Sequence, residues 1–140
     1  MSKGLEKMSP ERFLVDTTVW VKYLRGLDSG LKEHIRLLAL EERAYTSEII
    51  IMEVLRGAKS DKEYNMLYQD FLALPFLKTD TDVWETAWRT AYNLRRNGVN
   101  IPMVDVLIAA AAMYHKCTLM HSDRHFNLLA KHMGLKIMEA

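Results

Sequence analysis

Short apolar runs alternate with longer helical patterns along the whole chain, and this alternation restricts the fold more than any other feature. Residues 12–15, 43–46, 74–77, 118–120 and 136–138 read as strands, the third weakened at its start by Pro75. Between them, helical spacing runs over 17–25, 31–42, 49–55, 61–71, 81–97, 101–115 and 126–133. Gly26, Gly57, Gly98 and Gly134 stand where four of these helices stop, and Ser60 with Glu63 forms a capping-box pattern ahead of another. Within 81–97, the residues Trp84, Ala87, Trp88, Ala91 and Leu94 predict one apolar stripe. Strands separated by helices of about ten residues argue for an α/β layered fold with a mainly parallel sheet. In such sheets ligands gather at the carboxyl ends of the strands.

That rule draws attention to four acids. Asp16 ends the first strand and Asp123 follows the fourth. Asp105 lies in the first turn of a helix that leads into the fourth strand, and it shares a stripe with Ile108, Ala109 and Ala112. Glu53 is the single acid in Ile49-Ile50-Ile51-Met52-Glu53-Val54-Leu55, so it cannot easily escape partial burial. Each acid also has a plain structural explanation. Asp16 and Asp123 precede helices and suit N-caps, Asp105 complements a helix dipole, and Arg56 is placed to pair with Glu53 one turn on. Glu53 is the hardest to bring in, because at about 1.5 Å per residue it lies roughly 9 Å along its helix. If the four converge, their repulsion calls for a cation. Oxygen ligands without His or Cys favour a hard ion, Mg²⁺ or Mn²⁺, and such a site suits in-line hydrolysis of a phosphodiester.

Bulk properties narrow the field without deciding it. The chain has 140 residues, enough for one domain with a real core, and the reading is a flexible tail over 1–10 followed by one domain over 11–140. A net charge of +1 gives no global attraction to polyanions, so any nucleic-acid site must be a local patch. Cys117 is the single cysteine, which excludes an internal disulfide and a cysteine zinc cluster. No signal peptide or membrane-spanning run is expected, and the default location is cytoplasmic.

Four segments resemble the PIN-domain ribonucleases, and among these the VapC-type toxins of toxin–antitoxin pairs. They are Phe13-Leu14-Val15-Asp16-Thr17-Thr18-Val19-Trp20, the stretch from Thr46 through Glu53 to Gly57, Asp105-Val106-Leu107-Ile108-Ala109-Ala110, and Ser122-Asp123-Arg124-His125-Phe126. The resemblance covers nearly the whole domain in order. It implies a PIN-like three-layer fold, a parallel sheet flanked by helices, and Mg²⁺- or Mn²⁺-dependent endonuclease action on RNA. It also implies a homodimer, a cognate antitoxin that covers the acidic site, and a quartet at Asp16, Glu53, Asp105 and Asp123. Thr18 matches a small polar position that assists the metal site, with helix capping as its alternative.

One residue departs from the family pattern. His121 stands two before the fourth acid, where a hydroxyl residue is usual; its ring either contacts substrate or ends the strand facing solvent, and the second is the expectation. His125 is expected to be structural, with Phe126 anchoring the turn. Arg56 and Arg124, next to quartet acids, are the foremost candidates for phosphate contact, with Lys22, Arg25, Lys59, Arg95 and Arg96 behind them. Two other classes compete: a catalytically silent PIN or receiver-like binding module, and an aspartyl-phosphate phosphatase. The phosphatase chemistry wants a second acid two residues after its nucleophile, where this chain has Thr18.

Overall fold

The computed structural model describes residues 10–140; the expected tail at 1–9 lies outside the described residues. The elements follow in chain order: β1 (Phe13–Val15), α1 (Thr17–Arg25), α2 (Ser29–Leu40), β2 (Ala44–Ser47), α3 (Glu48–Arg56), α4 (Asp61–Leu72) and β3 (Phe76–Leu77). Then come α5 (Thr81–Arg96), α6 (Met103–Tyr114), β4 (Thr118–His121), α7 (Arg124–His132) and β5 (Ile137–Glu139). Five strands form one sheet in the order β3-β2-β1-β4-β5. Every pairing is parallel, with Phe13 opposite both Ala44 and Thr118, Thr46 opposite Phe76, and His121 opposite Glu139.

The chain leaves β1 in one direction to build β2 and β3, then returns past it to build β4 and β5. The order therefore reverses between β1 and β4, which makes their carboxyl ends the switch point of the sheet. Helices α1, α3 and α4 pack on one another, as do α5, α6 and α7. Right-handed crossovers place the two groups on opposite faces, giving three layers.

Local signals account for the element boundaries. Asp28 caps α2 by accepting from the Leu31 N–H at 3.0 Å, and Ser60 caps α4 by accepting from the Glu63 N–H at 3.1 Å. Gly26 closes α1 in the left-handed region at φ 66°, a conformation that side chains disfavour. Pro75 stays outside β3 and contributes only its carbonyl, which accepts from the Thr46 N–H at 3.1 Å.

The centre is built on α6. From Val106 to Ala112 every residue is buried, and the four alanines Ala109 to Ala112 let neighbouring elements approach closely. Beside it lie Leu14, Val15, Leu119 and Met120, all fully buried. An unbroken apolar surface of this kind is stable only with packing on several sides.

Three expectations need correction. The α5 stripe does not bury its tryptophans: the inward residues are Val83, Ala87 and Leu94, while Trp84 is 45% and Trp88 61% exposed. These side chains, narrower than an indole, face α6, and that rotation turns both indoles outward. The second helix does not run on to residue 42 as its spacing predicts, because it stops at Leu40 and Glu42 takes a left-handed φ of 56°. His121 does not face solvent; it is fully buried.

Candidate metal centre at the carboxyl edge

β1 and β4 end side by side, and the chain at each end turns directly into a helix capped by an aspartate. Asp16 caps α1: its Oδ2 accepts from the Thr18 N–H at 3.0 Å and from the Thr18 hydroxyl at 2.6 Å. Asp123 caps α7 by accepting from the His125 N–H at 3.0 Å. The capping explanation of these two acids is therefore correct, and it also sets their position. A cap fixes a carboxylate at the helix start, which here is the edge of the sheet.

Thr18 ties the two strand ends together. Its hydroxyl donates to Asp16 and accepts from the Ser122 N–H at 2.9 Å, so capping and support of the acidic site are one arrangement. The same geometry occupies the position where a phosphatase would carry its second acid.

Asp105 enters from the first turn of α6, partly buried. Its Oδ2 lies 3.0 Å from His125 Nδ1, and Asp123 Oδ1 lies 3.5 Å from the same nitrogen. One ligand atom from each of Asp105, Asp123 and His125 falls within 4.8 Å of the other two. Glu53 is oriented by α1. The Thr17 hydroxyl donates to Glu53 Oε1 at 2.7 Å, so α3 is held against α1 and the acid six residues into α3 reaches toward the edge. Arg56 is exposed and forms no ion pair with Glu53 among the described contacts, and Arg124 is exposed as well.

The electrostatics show that the acids sense one another. Burial pushes the Asp16 carboxyl above its ordinary value, and the Glu53 charge adds to this against the Thr18 hydrogen bonds. Burial likewise raises Asp105, with the charges of Asp123 and Asp16 adding to it and the His125 hydrogen bond opposing it. Desolvation and like charge both disfavour the ionised forms, and a cation relieves both. Oxygen donors gathered in this way fit a hard divalent ion.

His121 supports the turn from within. Its Nδ1 accepts from the Asp123 N–H at 3.1 Å, and its ring lies 5.4 Å from that of Phe126. Burial lowers the pKa of the ring, so it is held neutral. Thr17 carries no signal in the sequence beyond being a hydroxyl directly after a strand-end acid, yet it reaches the neighbouring helix. His125, expected to be structural, lies beside Asp105 and Asp123, because the second position of the capped helix sits at the capping edge. Phe126, read as the anchor, is fully buried.

Comparison with known proteins agrees with this picture. The family model described as PIN domain matches residues 13–132. Ribonuclease VapC11 of Mycobacterium tuberculosis is 34% identical over 127 residues, covering 88% of this chain and 95% of that protein. Among solved structures, the DNA-bound VapBC of Salmonella typhimurium superposes with a TM-score of 0.81 at 21% identity, covering 93% of this chain and 98% of that one. VapBC2 of Rickettsia felis, bound to a promoter DNA fragment, gives 0.78 at 19% identity, covering 91% and 98%. At these identities the structural matches speak for the fold alone.

Proposed function

From the premise that this chain belongs to the PIN-domain family, we propose that it is a divalent-metal-dependent endoribonuclease. It acts as the toxin of a toxin–antitoxin pair, as a homodimer in the cytoplasm, restrained by a cognate antitoxin that covers the acidic edge. The observation that carries this reading is the gathering of Asp105, Asp123 and His125 within 4.8 Å at the switch point, with Asp16 near enough for its charge to raise the Asp105 carboxyl and Glu53 bonded to Thr17 beside them. The curated relative is a ribonuclease by name, and the structural neighbours are toxin–antitoxin assemblies. Residues 11–140 form the catalytic domain.

Asp16, Glu53, Asp105 and Asp123 would hold Mg²⁺ or Mn²⁺. When bound, such an ion supplies Lewis-acid activation of water and neutralises charge on the phosphodiester. The protein contributes position. Thr18 fixes Asp16 against the β4 turn, Thr17 fixes Glu53, and the α6 core fixes Asp105. Arg25 and Lys59 line a groove together with Glu53 and Glu63, and the two cations offer an RNA phosphate backbone contacts on its way to the acids.

The deciding experiment incubates the purified chain with total cellular RNA and Mg²⁺ or Mn²⁺. The wild type is expected to cleave and Asp105→Asn to lose cleavage by at least 10²-fold with its circular dichroism unchanged. Equal cleavage by the variant would overturn the quartet. In cells, expression of the wild type arrests growth, whereas Asp16→Asn does not.

A further inference from the structure

The acids at the edge share their space with one nitrogen. His125 Nδ1 sits 3.0 Å from Asp105 Oδ2 and 3.5 Å from Asp123 Oδ1, closer to both than any cationic side chain among the described ion pairs. The ring is delivered by backbone geometry: the His125 N–H is bound by Asp123 Oδ1, and α7 is anchored behind it by the fully buried Phe126. Its side chain is 38% exposed and makes no other polar contact among the described residues, so its in-plane edge is committed to the acids. Cis ligands of an octahedral ion at about 2.1 Å lie roughly 3.0 Å apart, which is the separation found between the ring and Asp105. A small rotation about either terminal torsion would let both atoms face one ion.

We propose that His125 is a nitrogen ligand of the bound divalent ion, so that this centre is a mixed nitrogen–oxygen site that selects Mn²⁺ over Mg²⁺. The inference rests on the proposed metal-dependent nuclease reading and adds to it a fifth residue and a metal preference. Mg²⁺ takes oxygen donors almost exclusively, whereas an imidazole donor favours the first-row transition ions. Replacing one oxygen donor by nitrogen therefore shifts the balance toward Mn²⁺ without altering the acids.

The test uses the purified full chain and Mn²⁺ alone as probe. Wild-type protein is expected to bind Mn²⁺ with ¹⁴N modulation in electron spin-echo spectra. His125→Ala should abolish that modulation and weaken Mn²⁺ binding by roughly 10–100-fold, while Mg²⁺ binding changes less than about 3-fold. His125→Asp, which supplies oxygen at the same place, should bind Mg²⁺ more tightly than the wild type with no ¹⁴N signal, and its thermal unfolding checks that the fold persists. Mn²⁺ bound without ¹⁴N modulation, or modulation that survives in His125→Ala, overturns the proposal and leaves the acidic metal site standing. Absence of any Mn²⁺ binding by the wild type overturns the metal reading itself.

Discussion

Asp16 carries two loads that oppose each other. As an N-cap it stabilises α1, and as a nearly fully buried acid beside Glu53 it resists ionisation. Its folded-state pKa lies above the unfolded value, so the folded protein holds the proton more tightly. Stability then falls as pH rises from the ordinary carboxylate range through the raised folded value, and the penalty is complete above that value. Asparagine can still cap the helix but carries no charge. Metal-free Asp16→Asn is therefore expected to unfold at a higher temperature than the wild type at pH 7, and the difference should vanish near about pH 3.5, below the ordinary carboxylate value. Mg²⁺ should raise the wild-type midpoint and leave the variant's unchanged. Thermal melts at the two pH values check this, and a variant less stable at pH 7 would show that the charge is not costly there. The sequence displayed Asp16 because a strand-end acid is visible in a one-dimensional pattern. It did not display the partnership of Thr17 with Glu53, since a hydrogen bond across 36 positions depends on how two helices cross. His121 misled for a related reason: a polar residue after an apolar strand suggests an exit to solvent, but β5 and Phe126 close over it.

At the level of elements, helix positions are legible to within about two residues because Gly stops, aspartate caps and apolar spacing agree with one another. What the pattern could not give was rotation. Trp84 and Trp88 share a stripe with Ala87 on a helical wheel, yet α5 buries the face of Val83, Ala87 and Leu94. Hydrophobicity ranks the indoles as core, whereas close packing against α6 favours side chains narrower than an indole. The same principle governs α6, where Ala109 is fully buried one turn beyond Asp105. Ala109→Leu inserts volume where neighbours already touch, and it is expected to destabilise the protein by about 1–3 kcal/mol. Because the displaced helix carries Asp105, cleavage should fall as well, under conditions where the variant remains folded. Denaturant unfolding measures the first effect and an RNA cleavage assay the second. Unchanged stability would mean that α6 has room to spare.

For the molecule as a whole, the reversal of strand order matters more than any single contact. Because the chain builds outward from β1 in both directions, two independent strand-to-helix turns meet at one place, each with a capping aspartate. A third acid arrives on the helix that precedes β4, so one switch point concentrates negative charge in a chain whose net charge is only +1. That concentration repels RNA, and the balancing cations must lie beside the acids rather than over the whole surface. Arg25 and Lys59 meet this requirement: they line a groove of about 500 Å³ with Glu53 and Glu63, and neither joins an ion pair among the described residues. Lys22 is less available, since its Nζ donates to the Ala140 carbonyl at 3.1 Å. Arg56 and Arg124, favoured by adjacency in sequence, line none of this groove. If Arg25 and Lys59 each neutralise one phosphate, binding of single-stranded RNA to cleavage-deficient Asp105→Asn protein must weaken with salt. Adding Arg25→Ala and Lys59→Ala should reduce the slope of log Kd against log salt by about 1.4, two contacts at roughly 0.7 each. Substituting Arg56 and Arg124 instead should change the slope by less than half as much. An unaltered slope in the first variant would move the RNA path to another face of the molecule.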